Sequence, residues 1–162
     1  MKQTLYEKIL CAHIHAHVHK SQLDMGEIVE VEPDRLMIHD FFAPFVTGKF
    51  REMGFGNVFN PDKVVFVHDH IVPATFPDDL RHHRAAEEFA REQGITRVHR
   101  TDGVCHQLMH ELGYVMPGDI VLGTDSHTVT YGAVGALATG IGYTEMAAVL
   151  GTGKIWLKMV PT

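Results

Sequence analysis

The run Lys63 to Val67 (KVVFV) limits what this chain can become more than any other five residues. Four consecutive apolar residues, three of them β-branched, suit a strand covered on both faces, the kind found inside a parallel sheet. A parallel sheet needs crossover helices, and the next strong signal supplies one. Pro77 to Gln93 is amphipathic, with Pro77 suited to the first turn, Asp78 and Asp79 at the positive end of the dipole, and Gly94 to end it. Strand-like and helical segments alternate along the rest of the chain: a helix over 3–12, strands over 27–31 and 35–39, a helix over 43–53, a strand over 96–99 and a helix over 106–112. A strand over 119–122, helices over 130–138 and 144–150 and a strand over 154–160 follow. This order predicts an α/β fold, a three-layer arrangement with helices on both faces of a sheet.

A chain of 162 residues with 45% hydrophobic and 21% charged residues can form one ordinary domain with its own core. Its net charge of −6, without a basic run, argues against a nucleic-acid surface. No apolar stretch approaches the roughly 18 residues of a membrane span. MKQTLYEKIL lacks the apolar core and cleavage site of a signal peptide. Two widely spaced cysteines, Cys11 and Cys105, point to a reducing compartment, and the expected location is cytoplasmic. Six glycines crowd the segment from Gly132 to Gly153. With no dinucleotide or P-loop fingerprint, close helix-to-sheet packing is the better explanation for them.

Thirteen histidines stand out. His13, His15, His17 and His19 alternate, a spacing that can chelate a metal but equally fits an exposed segment with adventitious affinity, which we favour. Three other segments combine an acid with an imidazole just after a strand. His68-Asp69-His70 follows KVVFV, Asp102 to His106 follows the 96–99 strand, and Asp125-Ser126-His127 follows the 119–122 strand. Each alone is an ordinary polar strand end or helix cap. In a parallel sheet, however, all three share one edge, where α/β proteins bind ligands. The last of them opens a stretch, Ser126 to Thr144, that contains no Lys, Arg, Asp or Glu. Polar groups at the mouth of such a segment must be paired or used.

These segments carry a resemblance. Asp69-His70-x-Val72-Pro73, Gly103-x-Cys105-His106-Gln107 and Gly123-Thr124-Asp125-Ser126-His127-Thr128, continuing to Gly132 and Gly135, are similar to the aconitase superfamily. The match is especially to the large subunits of 3-isopropylmalate dehydratase and homoaconitase. MAAVLGTGKIW (146–156) is also family-like, and the amino-terminal half fits more loosely. The resemblance implies a hydro-lyase that dehydrates and rehydrates a branched 2-hydroxy di- or tricarboxylate, such as isopropylmalate in leucine biosynthesis. It implies a [4Fe-4S] cluster acting as Lewis acid on the substrate hydroxyl. It further implies acid–imidazole roles for Asp69, His70, His106, Asp125 and His127, and substrate contact for Ser126.

The family's cluster cysteines, one alone and two in a C-x-x-C pair, have no counterpart in Cys11 or Cys105. Residues 1–162 are therefore expected to be an amino-terminal α/β domain of a larger large subunit, inactive alone, with a small subunit and the remaining large-subunit region as partners. Phe41-Phe42 stands where the family tends to have a smaller polar residue; a more apolar substrate or altered packing would account for it, and packing is favoured. Two other classes remain. One is a zinc-dependent hydrolase built on His13, His15, His68, Asp69 and His70; the other is a non-catalytic assembly domain.

Overall fold

A computed structural model describes residues 3–14 and 20–162. His15, His17 and His19 lie outside the described residues, and with them most of the alternating histidine run. Helix α1 (Leu5–His13) opens the chain, capped by the Thr4 hydroxyl, which accepts the Glu7 N–H. Strand β1 (Ile28–Val31) follows, then β2 (Arg35–His39), α2 (Ala43–Glu52) and β3 (Val64–Val67). Next come α3 (Pro77–Gln93), β4 (Val98–His99), α4 (Cys105–Glu111) and β5 (Ile120–Gly123). A 3-10 segment (Ser126–Val134), β6 (Leu137–Gly140), α5 (Tyr143–Thr152) and β7 (Ile155–Lys158) complete the order.

Five strands form one parallel sheet in the order β4-β3-β2-β5-β6. Strand β3 is buried along its whole length, as KVVFV requires, and its side chains divide by parity. Val64 and Phe66 join Leu36, Ile38, Ile120 and Leu122 in a core beneath α2, α3 and α5. Val65 and Val67 join Met37 and Val121 on the opposite face, against Cys105, Leu108 and Met109 of α4 and against Tyr131. Phe89 of α3 meets Phe50 of α2 edge to face at 5.2 Å, a geometry worth about 0.5–1.5 kcal/mol beyond its buried area. Helices therefore cover both faces. Among the described residues no helix is long and apolar enough to cross a membrane.

Two expectations change. The helix expected over 130–138 is absent; the chain makes 3-10 turns to Val134 and then β6, paired with β5 from Ile120↔Leu137 to Gly123↔Gly140. Gly135, at φ +86°, turns the chain out of the helical region, and small residues in β6 disguise a strand. The closing strand β7 does not extend the parallel sheet but pairs antiparallel with β1 in a separate two-stranded sheet. Close packing explains only some of the late glycines. Gly151 and Gly153 face the rings of Phe55 and Phe59, and Gly140 faces the backbone of Asp125, whereas Gly132 borders open space.

The connections fix where a ligand can sit. From β2 the chain runs outward through β3 to β4, then returns to the other side of β2 as β5 and continues to β6. The direction reverses between β2 and β5. In open α/β sheets, the crevice outside the carboxyl ends at such a reversal is the binding place.

Candidate active site

At that reversal lies an open cleft of about 540 Å³. His39 ends β2 with Phe41 and Phe42 after it, His70 follows β3, Thr124, Asp125 and Ser126 follow β5, and Thr139 to Gly142, the end of β6 and the turn after it, close the remaining side. The polypeptide crosses here at close range. A Cβ on Gly140 would stand 2.5 Å from the Asp125 carbonyl oxygen, so only glycine lets β6 pass the Asp125 turn.

Asp125 is the hub. Its Oδ1 accepts the His127 backbone N–H at 2.6 Å, with His127 Nδ1 and His106 Nε2 both at 3.0 Å. Its Oδ2 faces His70 Nε2 at 3.2 Å. The other nitrogen of His70, Nδ1, lies 2.7 Å from Asp69 Oδ1, and Asp69 Oδ2 accepts the Cys105 N–H at 2.6 Å. Three strand ends thus deliver one continuous network running from Cys105 through Asp69, His70 and Asp125 to His106 and His127.

The charges follow from these contacts. Burial works against ionisation of Asp125, but donors from His127, His70 and His106 override it and hold the carboxyl down at about 2. Asp69 is likewise lowered: its desolvation is outweighed by Cys105 and His70. Desolvation disfavours a charged His70, yet Asp69 and Asp125 on its two nitrogens raise its pKa above the usual imidazole value. With a carboxylate at each nitrogen, these contacts favour the doubly protonated ring, in which both nitrogens donate. His106 is held differently, with Tyr131 Oη 3.2 Å from Nδ1. Burial raises the Tyr131 phenol well above its ordinary pKa, so the hydroxyl keeps its proton and offers it to Nδ1, in keeping with the Nε2–H donor that the Asp125 carboxylate demands from the other side of the ring.

All six residues singled out by sequence, Asp69, His70, His106, Asp125, Ser126 and His127, fall at this edge. Their pairing differs from chain order. Asp102 does not serve His106; it binds His99 Nδ1 at 2.6 Å, while His99 Nε2 meets Tyr114 Oη at 3.0 Å. His68 turns away from the cleft and stacks on His83 with ring centroids 4.3 Å apart. His13 pairs with Asp34 at 2.8 Å, before β2 and so at the opposite edge of the sheet. Among the described residues, the ligand set considered for a zinc hydrolase is therefore not assembled: His13, His68 and the Asp69–His70 pair lie in three different places.

A family model, Aconitase family (aconitate hydratase), matches residues 7–162. The chain belongs to the aconitase family. It is 42% identical over its whole length to a protein named 3-isopropylmalate dehydratase large subunit 1 from Methanopyrus kandleri. It is 43% identical, again over its whole length, to a probable 3-isopropylmalate dehydratase large subunit from Methanothermobacter thermautotrophicus. A probable methanogen homoaconitase large subunit of the latter organism is 46% identical over 84% of this chain. The chain spans 38% of the length of each of the first two relatives and 33% of the third.

The thiols of this aconitase-family chain do not fit an iron–sulfur cluster. Cys11 packs with the α2, α3 and α5 side of the core and Cys105 with the α4 side. Cys105 is fully buried, and desolvation with the neighbouring Asp69 pushes its thiol far above the ordinary range, the reverse of what a thiolate ligand needs.

Sequence reasoning missed three residues in this neighbourhood. Asp40, fully buried, accepts N–H groups of Phe41 (2.9 Å), His70 (3.1 Å) and Ile71 (2.9 Å) and pairs with His83 at 3.1 Å. Tyr131 and His39 are the others. His39 and Asp40 carried a signal, an imidazole and an acid at the end of a predicted strand and within the looser family-like match of the amino-terminal half; Tyr131 carried none. Phe41 and Phe42, expected to be packing residues, line the cleft.

Proposed function

We propose that this chain is the amino-terminal α/β domain of the large subunit of a hydro-lyase that dehydrates and rehydrates a branched 2-hydroxy di- or tricarboxylate, with 3-isopropylmalate as first substrate. The observation that carries this reading is the Asp125 carboxylate in contact with three imidazoles at the sheet's reversal point. Loss of hydroxide from a 2-hydroxy acid needs a proton delivered to the leaving oxygen. His70 holds one at Nε2 on the cleft wall; once that proton is transferred the ring is neutral, and its Nδ1–H remains donated to Asp69, which keeps the ring oriented for reprotonation from the cleft. His106 and His127 keep Asp125 ionised, and Asp125 keeps His70 charged. Ser126, exposed beside this network, supplies a hydroxyl for a substrate carboxylate.

The rest of the wall supports an alkyl-bearing substrate. Phe41, Phe42, Val129 and Ile141 line the same cleft. Water expelled from these surfaces favours a branched apolar group over a third carboxylate, which ranks isopropylmalate or a dialkylmalate before homoaconitate. A [4Fe-4S] cluster, three cysteine ligands, a small subunit and the remaining large-subunit region would come from outside these residues, in the cytoplasm, and no proton step described above is routed through them. On this reading the chain is inactive alone.

The test uses the complete large subunit carrying this sequence, with its small subunit and reconstituted cluster. Formation of the unsaturated acid is followed with 3-isopropylmalate, 2,3-dimethylmalate and homocitrate. A kcat/KM highest for an alkyl-substituted malate supports the proposal. Preference for homocitrate moves the assignment to homoaconitase, and no turnover of any 2-hydroxy acid overturns it in favour of an assembly role.

A further inference from the structure

His39 is the anomaly of the cleft. It is 2% exposed, and among the described residues neither ring nitrogen has a hydrogen-bond partner. A buried imidazole is normally paired through at least one nitrogen, because stripping water from both without replacement is costly. Its backbone is tied down, with its N–H donated to the Thr124 hydroxyl at 3.3 Å. The ring itself is used through its face. It lies on the His70 ring with centroids 3.7 Å apart and planes 16° from parallel. Phe42 meets it edge-on at 5.2 Å, and Phe41 lies stacked at 6.5 Å.

We propose that His39 is a positioning residue, a flat buried ring on which the His70 imidazole rests so that both His70 nitrogens stay aligned with Asp69 and Asp125. This rests on the reading of His70 as the proton carrier of the site. Two carboxylates on either side of one imidazole fix its edges but leave it free to tilt about the line joining them. A flat neighbour at van der Waals distance removes that tilt. The platform must be uncharged, since a second imidazolium at 3.7 Å would repel the first. The titratable groups around it are Asp40 on its own strand end, Asp69 and His70 after β3, and Asp125 after β5. Three carboxylates favour a charge on His39, yet burial and the adjacent His70 prevail and leave it neutral down to about pH 4. Unpaired nitrogens are consistent with that requirement: a carboxylate bonded to either one would favour the charged ring. The π face of a neutral ring also attracts the cation lying on it.

The experiment follows imidazole nitrogen and carbon resonances of the full chain against pH. In the unaltered protein His39 stays neutral through pH 6 while His70 is doubly protonated there. In His39→Phe, which keeps a flat neutral ring, the His70 midpoint stays where it was. In His39→Leu it falls by about half a pH unit, the loss expected for an exposed-to-buried cation–π contact. A His70 midpoint unchanged in a folded His39→Leu, a shift as large in His39→Phe as in His39→Leu, or a His39 that titrates with His70 near pH 6.5 would each overturn the platform. If His39→Leu does not fold, the His39 titration in the unaltered protein and the His39→Phe result still decide the question. The functional reading fails separately: a complete enzyme without hydro-lyase activity, with these midpoints as predicted, sinks that reading and leaves the platform standing.

Discussion

Asp40 and Asp125 stand at the carboxyl ends of adjacent strands, and each gathers four or more donors, but the donors differ in kind. Asp40 accepts three backbone N–H groups and one imidazole, and it is fully buried. Asp125 accepts one backbone N–H and faces three imidazoles, beside an open cleft. Amide protons do not exchange on a catalytic timescale, and imidazole protons do. The first carboxylate therefore holds two loops in place, and the second is wired to groups that can give and take protons. Two aspartates with similar coordination numbers are distinguished by what they coordinate.

Substituting each in turn is the strongest way to break this distinction. Asp40→Ala leaves three amide donors without an acceptor in a dry site, and a loss of about 3–5 kcal/mol is expected, read as the unfolding midpoint in urea. Activity of the complete enzyme should fall only with the folded fraction. Asp125→Ala should do the opposite, lowering kcat by about 10²–10⁴ while stability changes much less. A variant pair with the two effects exchanged would show that the assignment of roles is backwards.

Acid sharpens the contrast between the network and the rings packed beneath it. His39 has its proton affinity depressed to about 4 from 6.5, chiefly by burial, and His68 is depressed for the same reason. Between those values the unfolded chain binds the proton and the folded chain does not. The stabilisation from keeping His39 neutral is therefore complete above pH 6.5 and diminishes as pH falls towards 4, by up to about 3 kcal/mol. His70 and His13, raised in the folded chain, act in the other direction: their stabilisation is complete below 6.5 and is lost as pH rises through their folded values. His39→Phe should flatten the first effect alone. Its unfolding free energy relative to the unaltered chain, measured in urea at pH 7 and pH 4.5, should improve at the lower pH; an identical difference at both would refute the buried neutral state.

Local signals in the sequence carried far. Helix α3 begins at Pro77 and ends at Gln93 as its proline, acidic first turn and following glycine require, with Gly94 in the left-handed region at φ 71°. KVVFV was legible because burial on both faces leaves no alternation to interpret. That the residues singled out would meet was legible too, since a parallel sheet brings all strand ends to one edge. Its wiring was not. Chain proximity pairs Asp102 with His106, but α4 carries His106 back across the sheet edge to Asp125 and Tyr131. His39 reads as the last residue of a strand, and only the packing of β3 beside β2 lays it under His70. Strand β6 was lost among alanines and glycines whose strand character comes from pairing with β5.

The smallest expected effect tests the outermost link of the network. Tyr131 is fully buried in the α4 side of the core, and its hydroxyl meets His106 Nδ1 at 3.2 Å. Tyr131→Phe keeps the ring packing and removes one hydrogen bond, leaving a half-buried nitrogen to find water in the cleft. A stability loss of about 1 kcal/mol is expected. The informative readout is the His106 tautomer, seen in its ring nitrogen resonances. With Tyr131 present, the proton resides on Nε2, towards Asp125. Without it, Nδ1 loses its donor while Asp125 continues to demand the Nε2 proton, so the tautomer should persist and only its exchange with solvent should quicken. A switch to the Nδ1–H form would mean that Tyr131, not Asp125, sets the orientation of His106. The carboxylate would then be the hub of two imidazoles rather than three.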